Sequence, residues 1–121
     1  MLFVDDDRAI AQVYQLKLEL EGYRVDLAFD GEMAVEMANR ELPDIVFLDI
    51  RLPKLDGLGV LLALRGNPKT EEIPVVVLSN YGRREIDERV AKLGVVDFLM
   101  KTETTPAKLV AGLKRWLGSG E

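Results

Sequence analysis

Two short segments of the chain, Ile-Val-Phe-Leu at residues 45–48 and Val-Val-Val-Leu at residues 75–78, are apolar at every position. A strand with one face in water alternates apolar and polar side chains, so a continuous apolar run indicates a strand that is covered on both faces. Strands of this kind are typical of parallel sheets with helices on each side. These two segments therefore predict an α/β sandwich.

The rest of the chain alternates further short strands with helical periodicity. The segments at residues 2–4, 23–28 and 95–100 predict three more strands. Between the strands, apolar residues recur every three or four positions, which is the repeat of one helix face. The predicted helices are marked by Ala9, Val13, Leu16 and Leu20; by Met33, Met37 and Ala38; by residues 58–64; by Ile86, Val90 and Leu93; and by Leu109, Leu113 and Trp116. Five strands alternating with five helices predict a doubly wound α/β sheet.

The length of 121 residues fits one domain. We expect that domain to span residues 1–117, and we expect residues 118–121, Gly-Ser-Gly-Glu, to form a flexible tail or the start of a linker. No apolar run approaches the roughly 18 residues of a membrane span, and Asp5 interrupts the apolar start too early for a signal peptide. We therefore expect a cytoplasmic protein without membrane contact.

The chain contains no cysteine and no histidine. Their absence excludes disulfides, thiolate metal sites and a catalytic triad with a histidine base. A metal would have to be held by carboxylate and carbonyl oxygens, which favours a hard cation such as Mg²⁺, Mn²⁺ or Ca²⁺. The formal net charge of −5, from 16 basic and 21 acidic residues, argues against direct binding of nucleic acid.

Polar and charged side chains follow four of the predicted strands at the point where each strand ends. Asp5 and Asp6 follow the first strand, Asp49 follows the third, Ser79 follows the fourth and Lys101 follows the fifth. Sites in an open parallel sheet form beyond the carboxyl ends of the strands, so we expect these side chains to lie close together.

Carboxylates a few ångströms apart repel each other, and a divalent cation relieves that repulsion. The cation also orients and neutralises an incoming phosphoryl group. One carboxylate can then act as the nucleophile and form an aspartyl phosphate. Ser79 would donate a hydrogen bond to one phosphoryl oxygen, and Lys101 would pair with another.

These residues, in this order, resemble those of a response-regulator receiver domain (CheY-like, from two-component signalling) over essentially the whole chain. The resemblance implies a flavodoxin-like fold with the strand order 2-1-3-4-5. It also implies a signalling domain that assists its own phosphorylation and dephosphorylation, and not a metabolic enzyme. The matching motifs are Val4-Asp5-Asp6; Phe47-Leu48-Asp49, with Pro53 and Asp56-Gly57 downstream; Leu78-Ser79; and Phe98, three residues before Lys101.

The resemblance assigns a role to each residue at the strand ends. Asp49 would accept a phosphoryl group from a sensor histidine kinase or a histidine phosphotransfer protein. Asp5, Asp6, Asp49 and the backbone carbonyl of Arg51 would hold Mg²⁺ or Mn²⁺. The donor histidine would lie on the partner, because this chain has none.

A second group of residues would read the phosphorylated state. Ser79 and Lys101 would contact the phosphoryl group, and Phe98 would couple the site to the surface of helix 4, strand 5 and helix 5. That surface is also where a homodimer would form. The output would pass to a downstream protein or to a fused output domain.

Other interpretations of the same residues stay open at this point. Asp7 and Ser79 can each cap the helix that follows them, and Phe98 is equally well explained as a core aromatic. A degenerate receiver that serves only as a protein-interaction module is one alternative function. An Mg²⁺-dependent phosphohydrolase is another, although such enzymes usually have a second acid where this chain has Arg51.

Four features depart from the usual receiver pattern. Thr102 follows Lys101 where the family usually has proline, which predicts a trans Lys101–Thr102 peptide bond and a rearranged loop. Asn80 stands where a small residue is usual. Arg51 and Tyr81 flank the site, and neither can accept a proton from an attacking water, which predicts slow loss of the phosphoryl group. The first strand is short, so we expect the numbering to begin inside the native N-terminus.

Overall fold

The computed structural model describes residues 1–80 and 88–117. Five parallel strands form one sheet in the order β2-β1-β3-β4-β5, so the predicted flavodoxin-like α/β fold is confirmed. The strands are β1 (Leu2–Val4), β2 (Asp26–Ala28), β3 (Val46–Asp49), β4 (Val75–Ser79) and β5 (Val95–Met100). The helices are α1 (Arg8–Leu20), α2 (Gly31–Glu41), α3 (Gly57–Arg65), α4 (Glu88–Ala91) and α5 (Pro106–Trp116), with a 3₁₀ turn at Lys101–Glu103. No helix among these residues has the length and apolar character needed to cross a membrane.

The central strands are covered by helices on both faces, as their apolar composition predicts. Because side chains alternate along a strand, Val46 and Leu48 of β3 face a cluster formed with α2, α3 and α4. Phe47 faces the opposite cluster, which α1 and α5 complete. All residues of β1, β3 and β4 are buried, so the sheet separates two apolar cores.

Short polar side chains start the helices at the carboxyl edge of the sheet. The Asp7 carboxylate accepts a hydrogen bond of 3.1 Å from the Ile10 N–H, which confirms the interpretation of Asp7 as a helix cap. Asp56 and Thr105 cap α3 and α5 in the same way. These caps fix where the helices begin, directly after the loops that leave the strands.

The apolar face predicted for the first helix does not face the core. Val13, Leu16 and Leu20 are 52%, 58% and 71% exposed, and the core side of α1 instead carries Ala11 and Leu18. The helix has apolar residues on two faces, and periodicity alone does not say which face packs. The exposed face, together with Ile10, is called the α1 stripe below.

Several predicted boundaries shift by a few residues. The second strand begins at Asp26 and not at residue 23, because the Tyr23 N–H bonds to the Leu18 carbonyl at the end of α1. Gly22, with φ at +97°, makes the turn that allows this. The predicted positions Ile86 and Tyr81 and the predicted tail at residues 118–121 lie outside the described residues.

Candidate functional site

The carboxyl ends of β1, β3 and β5 bring four charged side chains together. β1 and β3 are neighbours, with Val4 beside Leu48, so the residues that follow them meet at the same edge. One carboxylate oxygen from each of Asp5, Asp6 and Asp49 lies within 4.8 Å of the others. Asp5 and Asp49 are buried, whereas Asp6 is exposed.

A backbone amide two residues further along the chain orients each buried carboxylate. The Asp7 N–H donates to Asp5 Oδ1 at 2.9 Å, and the Arg51 N–H donates to Asp49 Oδ1 at 3.0 Å. Both bonds are local, so the turn after each strand sets the direction of its carboxylate. The two Oδ2 atoms are left to converge at the edge of the sheet.

Lys101 lies between the two buried carboxylates. Its Nζ is 2.8 Å from Asp49 Oδ2 and 3.0 Å from Asp5 Oδ2. The contact with Asp49 is a hydrogen bond, but within the described part of the chain Asp5 Oδ2 is buried without a well-aligned hydrogen-bond donor. Three carboxylates face one ammonium group, so the fully ionised cluster has two negative charges in excess.

The pKa values in this cluster reflect burial and pairing acting against each other. Burial raises the pKa of Asp49 above its ordinary 3.8, and the hydrogen bonds from Lys101 and the Arg51 amide only partly offset that effect. Burial by itself would lower the pKa of Lys101. The hydrogen bond to Asp49 and the negative charges of Asp49 and Asp5 outweigh that effect and raise the pKa of Lys101 above 10.5. Lys101 is therefore firmly charged, whereas the charge of Asp49 carries a desolvation cost.

The cluster fits a hard divalent cation. Every ligand atom is oxygen and the charge excess is negative. Among the described residues, the buried Asp5 Oδ2 has an ion-pair contact with Lys101 at 3.0 Å but no well-aligned hydrogen bond. Mg²⁺ prefers such ligands, needs few of them from the protein and keeps several waters. The residues present therefore match the predicted metal site in composition and spacing.

The other predicted site residues stand around this cluster. Ser79 ends β4, is buried and lies beside Met100 of β5. Phe98 lies beside Val77, is half-buried and packs against the core cluster of α2, α3 and α4. Arg51 is exposed in the loop after β3.

A cleft of about 480 Å³ opens beside the charged cluster, between the start of α1 and the loop after β5. Asn80 and Thr102, two of the residues that depart from the receiver pattern, lie on its wall. The Lys101–Thr102 peptide bond is trans, as predicted, and no peptide bond in residues 1–80 and 88–117 is cis. The full lining is Phe3, Asp5, Asp6, Asp7, Ile10, Tyr14, Leu78, Asn80, Lys101, Thr102 and Thr104.

Sequence reasoning missed Tyr14 and Thr104 in this cleft. The Tyr14 hydroxyl donates a 3.0 Å hydrogen bond to the Thr104 carbonyl, although the two residues are 90 positions apart. Burial, with a smaller contribution from Asp5, raises the pKa of Tyr14 above 10.0, so the hydroxyl stays protonated and able to donate. The sequence signal that could have identified Tyr14 is its residue type: an aromatic side chain that packs against the core but carries a hydroxyl group that needs a hydrogen-bond partner.

A family model, described as the response regulator receiver domain, matches residues 1–114 of the chain. The chain is 41% identical over 120 residues to response regulator MprA of Mycobacterium leprae, covering 95% of this chain and 51% of MprA. It is 40% identical over 101 residues to response regulator PleD of Caulobacter vibrioides, covering 84% of this chain and 22% of PleD. The chain thus spans about half of MprA and less than a quarter of PleD.

Solved structures of receiver domains are also similar to this chain. The receiver domain of sensor histidine kinase PA1611 from Pseudomonas aeruginosa PAO1 superposes with a TM-score of 0.86 at 32% identity, covering 97% of this chain and 95% of that domain. That structure has a magnesium ion coordinated in its active site cleft. Chemotaxis protein CheY4 of Vibrio cholerae superposes with a TM-score of 0.86 at 27% identity, covering 95% of each chain.

Proposed function

Since this chain belongs to the response regulator receiver domains of two-component signalling, we propose that it is a phosphorylation-dependent switch with Asp49 as its phosphoacceptor. The observation that carries this proposal is the placement of Lys101. Its ammonium group contacts one oxygen of Asp49 and one of Asp5, and Asp6 lies beside them. The carboxylate proposed as nucleophile, the proposed cation ligands and the Lys101 ammonium group therefore lie at one edge of the sheet.

In the proposed reaction, a carboxylate oxygen of Asp49 attacks the phosphorus atom of a phosphohistidine. The new P–O bond forms as the P–N bond breaks, and the imidazole nitrogen leaves with the electron pair. Asp5, Asp6, Asp49 and the Arg51 carbonyl would hold Mg²⁺, or alternatively Mn²⁺. The bound cation would neutralise charge on the phosphoryl oxygens.

Lys101 has two tasks in this scheme. Before transfer, its bond to Asp49 Oδ2 offsets part of the cost of burying the carboxylate. After transfer, the same ammonium group would pair with a phosphoryl oxygen, because it already lies 2.8 Å from one oxygen of the Asp49 carboxylate. Ser79, at the end of the neighbouring strand, would donate a hydrogen bond to the phosphoryl group.

The switch would act by shifting a population between two conformations. The phosphoryl group favours the conformation in which Ser79 and Lys101 both contact it. Phe98, which packs against the core cluster of α2, α3 and α4, would transmit the change to the surface of α4, β5 and α5. Moving a state from 1:99 to 99:1 would require a difference of about 5.5 kcal/mol in binding free energy.

The proposed phosphoryl donor is a sensor histidine kinase or a histidine phosphotransfer protein in the cytoplasm. The α1 stripe supports this choice, because Ile10 lines the cleft while Val13, Leu16 and Leu20 continue an exposed apolar surface away from it. Such a surface suits a partner that presents its histidine from an apolar helical face.

The output would pass to a downstream protein or to a fused output domain, with residues 1–117 as the receiver and residues 118–121 as the tail or linker. A homodimer through α4, β5 and α5 belongs to the same proposal. Direct contact with nucleic acid or membrane is not part of it, given the net charge of −5 and the absence of a membrane-spanning helix in residues 1–80 and 88–117.

The test is incubation with acetyl phosphate and Mg²⁺, followed by intact-mass measurement. We expect one phosphate adduct, which Asp49→Asn abolishes and excess chelator prevents. Asp30→Asn is the matched control, since Asp30 caps α2 and pairs with the exposed Lys54 at 3.8 Å, and asparagine caps a helix equally well. An adduct that persists in Asp49→Asn would contradict the proposal. The absence of any adduct in the native chain would favour a protein-interaction module.

A further inference from the structure

The segment that carries Lys101 leaves the sheet at once. Lys101 opens a 3₁₀ turn in which the Thr104 N–H bonds to the Lys101 carbonyl at 3.3 Å. The Thr104 hydroxyl returns to the Met100 carbonyl at 2.6 Å, and Lys108 Nζ donates to the Glu103 carbonyl at 2.6 Å. These bonds shape the turn, but they join it only to β5 and α5.

Two side-chain groups, the Lys101 ammonium group and the Tyr14 hydroxyl, tie this turn to the other side of the cleft. Among residues 1–80 and 88–117, the hydrogen bonds from the turn to elements beyond β5 and α5 involve the Lys101 ammonium group and the Tyr14 hydroxyl. The first is the bond that catalysis would have to rearrange. The bond between Tyr14 and Thr104 is therefore the one that can hold the turn while Lys101 changes its partner.

Packing against the strands holds the Tyr14 side chain in place, so its hydroxyl can fix the position of the turn that carries Lys101. Its ring stacks on Phe3 of β1 at 4.7 Å between centroids and 20° between planes, and Phe3 in turn packs 6.2 Å from Phe47 of β3. Phe3 and Phe47 are fully buried, and each precedes an active carboxylate by two residues. The aromatic stack thus connects the strands of Asp5 and Asp49 to the position of the Tyr14 hydroxyl.

We propose that Tyr14 is a positioning residue for Lys101: its hydroxyl, bonded to the Thr104 carbonyl, sets the distance of the Lys101 turn from Asp5 and Asp49. Thr102 leaves this turn without the ring constraint that a proline at that position would supply. The Tyr14 bond supplies a constraint from the opposite wall of the cleft.

The test compares Tyr14→Phe, which keeps the ring on Phe3 and removes only the hydroxyl, with Tyr23→Phe. Tyr23 packs against the same core cluster as Tyr14, so the control makes the same chemical change away from the cleft. With acetyl phosphate and saturating Mg²⁺, we expect Tyr14→Phe to lower the maximal rate of adduct formation about tenfold, since a small misplacement of a reacting group is costly. The Mg²⁺ concentration at half-saturation and the melting temperature should match those of Tyr23→Phe.

A second measurement does not depend on phosphorylation. In protein labelled with ¹⁵N-lysine, the Lys101 ammonium signal should be shifted or broadened in Tyr14→Phe and unchanged in Tyr23→Phe, because fixed hydrogen bonds slow the exchange of its protons. The kinetic result rests on the proposed function, whereas the NMR result does not. If the native chain forms no adduct, the proposed function fails and the NMR comparison alone decides this inference.

Three results would overturn the positioning role. One is a Lys101 signal that is identical in the native protein and both variants. Another is a maximal phosphorylation rate in Tyr14→Phe equal to that in Tyr23→Phe. The third is a melting temperature in Tyr14→Phe far below that of Tyr23→Phe together with a weaker Mg²⁺ response, which would show that the hydroxyl acts only on the stability of the fold.

Discussion

Asp49 and Lys101 form one ion pair, yet the protein environment treats the two charges differently. The pKa of Lys101 is raised because two carboxylates face it, whereas burial raises the pKa of Asp49 despite the ammonium group beside it. The protein thus keeps the lysine charged while making the carboxylate costly to ionise. A buried carboxylate that is costly to ionise is one that a bound divalent cation would stabilise.

Because burial raises the pKa of Asp49, we predict that Asp49→Asn changes the free energy of unfolding of the metal-free protein in a pH-dependent way. At pH values between 3.8 and the raised pKa of Asp49, the folded state binds more protons at this residue than the unfolded state does. The contribution of Asp49 to the free energy of unfolding therefore falls as the pH rises. We expect Asp49→Asn to be more stable than the native protein at neutral pH in chelator. The difference should shrink as the pH is lowered towards 4. Urea unfolding across this range measures it, and a variant less stable than the native protein at neutral pH would contradict it.

In the proposed switch, Arg51 would influence how long the phosphoryl group stays on Asp49. It is exposed, two residues after Asp49, and it cannot accept a proton from an attacking water. We expect Arg51→Asn to shorten the lifetime of the phosphorylated form by about tenfold, because an amide at this position can orient the water. Lys54→Asn, a basic residue in the same exposed loop, is the control. Decay followed by mass spectrometry tests this, and equal lifetimes in both variants would reject it.

At the scale of elements, α1 combines three tasks within 13 residues. Its cap begins directly after the Asp5 turn, its core side presents Tyr14 to the cleft, and its outer side carries the α1 stripe. The exposed apolar side chains of the stripe contribute little to folding, since they remain in water. In the proposed function, these side chains would form part of the surface that meets the phosphoryl donor.

A leucine-to-alanine substitution should lower the free energy of unfolding much more on the buried face of α1 than on its exposed face. Leu18 is fully buried, so Leu18→Ala should lower the free energy of unfolding by about 2–5 kcal/mol. Leu16 is 58% exposed, so Leu16→Ala should change it by no more than about 0.5 kcal/mol. The single tryptophan of the chain, Trp116, packs in the same core cluster and reports unfolding by fluorescence. Equal losses in the two variants would mean that the helix is rotated from the orientation described.

At the scale of the whole molecule, one sheet edge gathers the ends of three strands, and the site exists only because the sheet holds them in register. Binding of a cation to the folded state should therefore stabilise the entire domain. At an Mg²⁺ concentration 100 times its dissociation constant, the gain should be about 2.7 kcal/mol. We expect Asp6→Asn to reduce this gain, with little change in the metal-free stability because Asp6 is exposed. Melting curves with and without Mg²⁺ measure it, and an undiminished gain in Asp6→Asn would remove Asp6 from the ligand set.

The fold class was predictable from the sequence because it depends on patterns of apolar and polar residues within short segments of the chain. Continuous apolar runs at β3 and β4 require cover on both faces, and acids or polar groups at strand ends meet wherever parallel strands end together. The family resemblance added the strand order. Helix caps such as Asp7 were also predictable, since a cap bonds to an amide three residues away.

Other features depended on contacts between distant parts of the chain. The sequence by itself determined that carboxylates and a lysine stand at the strand ends, and that the domain is an α/β sandwich. Only the tertiary structure decided which face of α1 enters the core, which carboxylate oxygens converge on Lys101, and that Tyr14 reaches Thr104 across 90 positions. The physical reason is that periodicity and local hydrogen bonds act within a few residues, whereas burial and ion pairing are settled only when separate elements pack together.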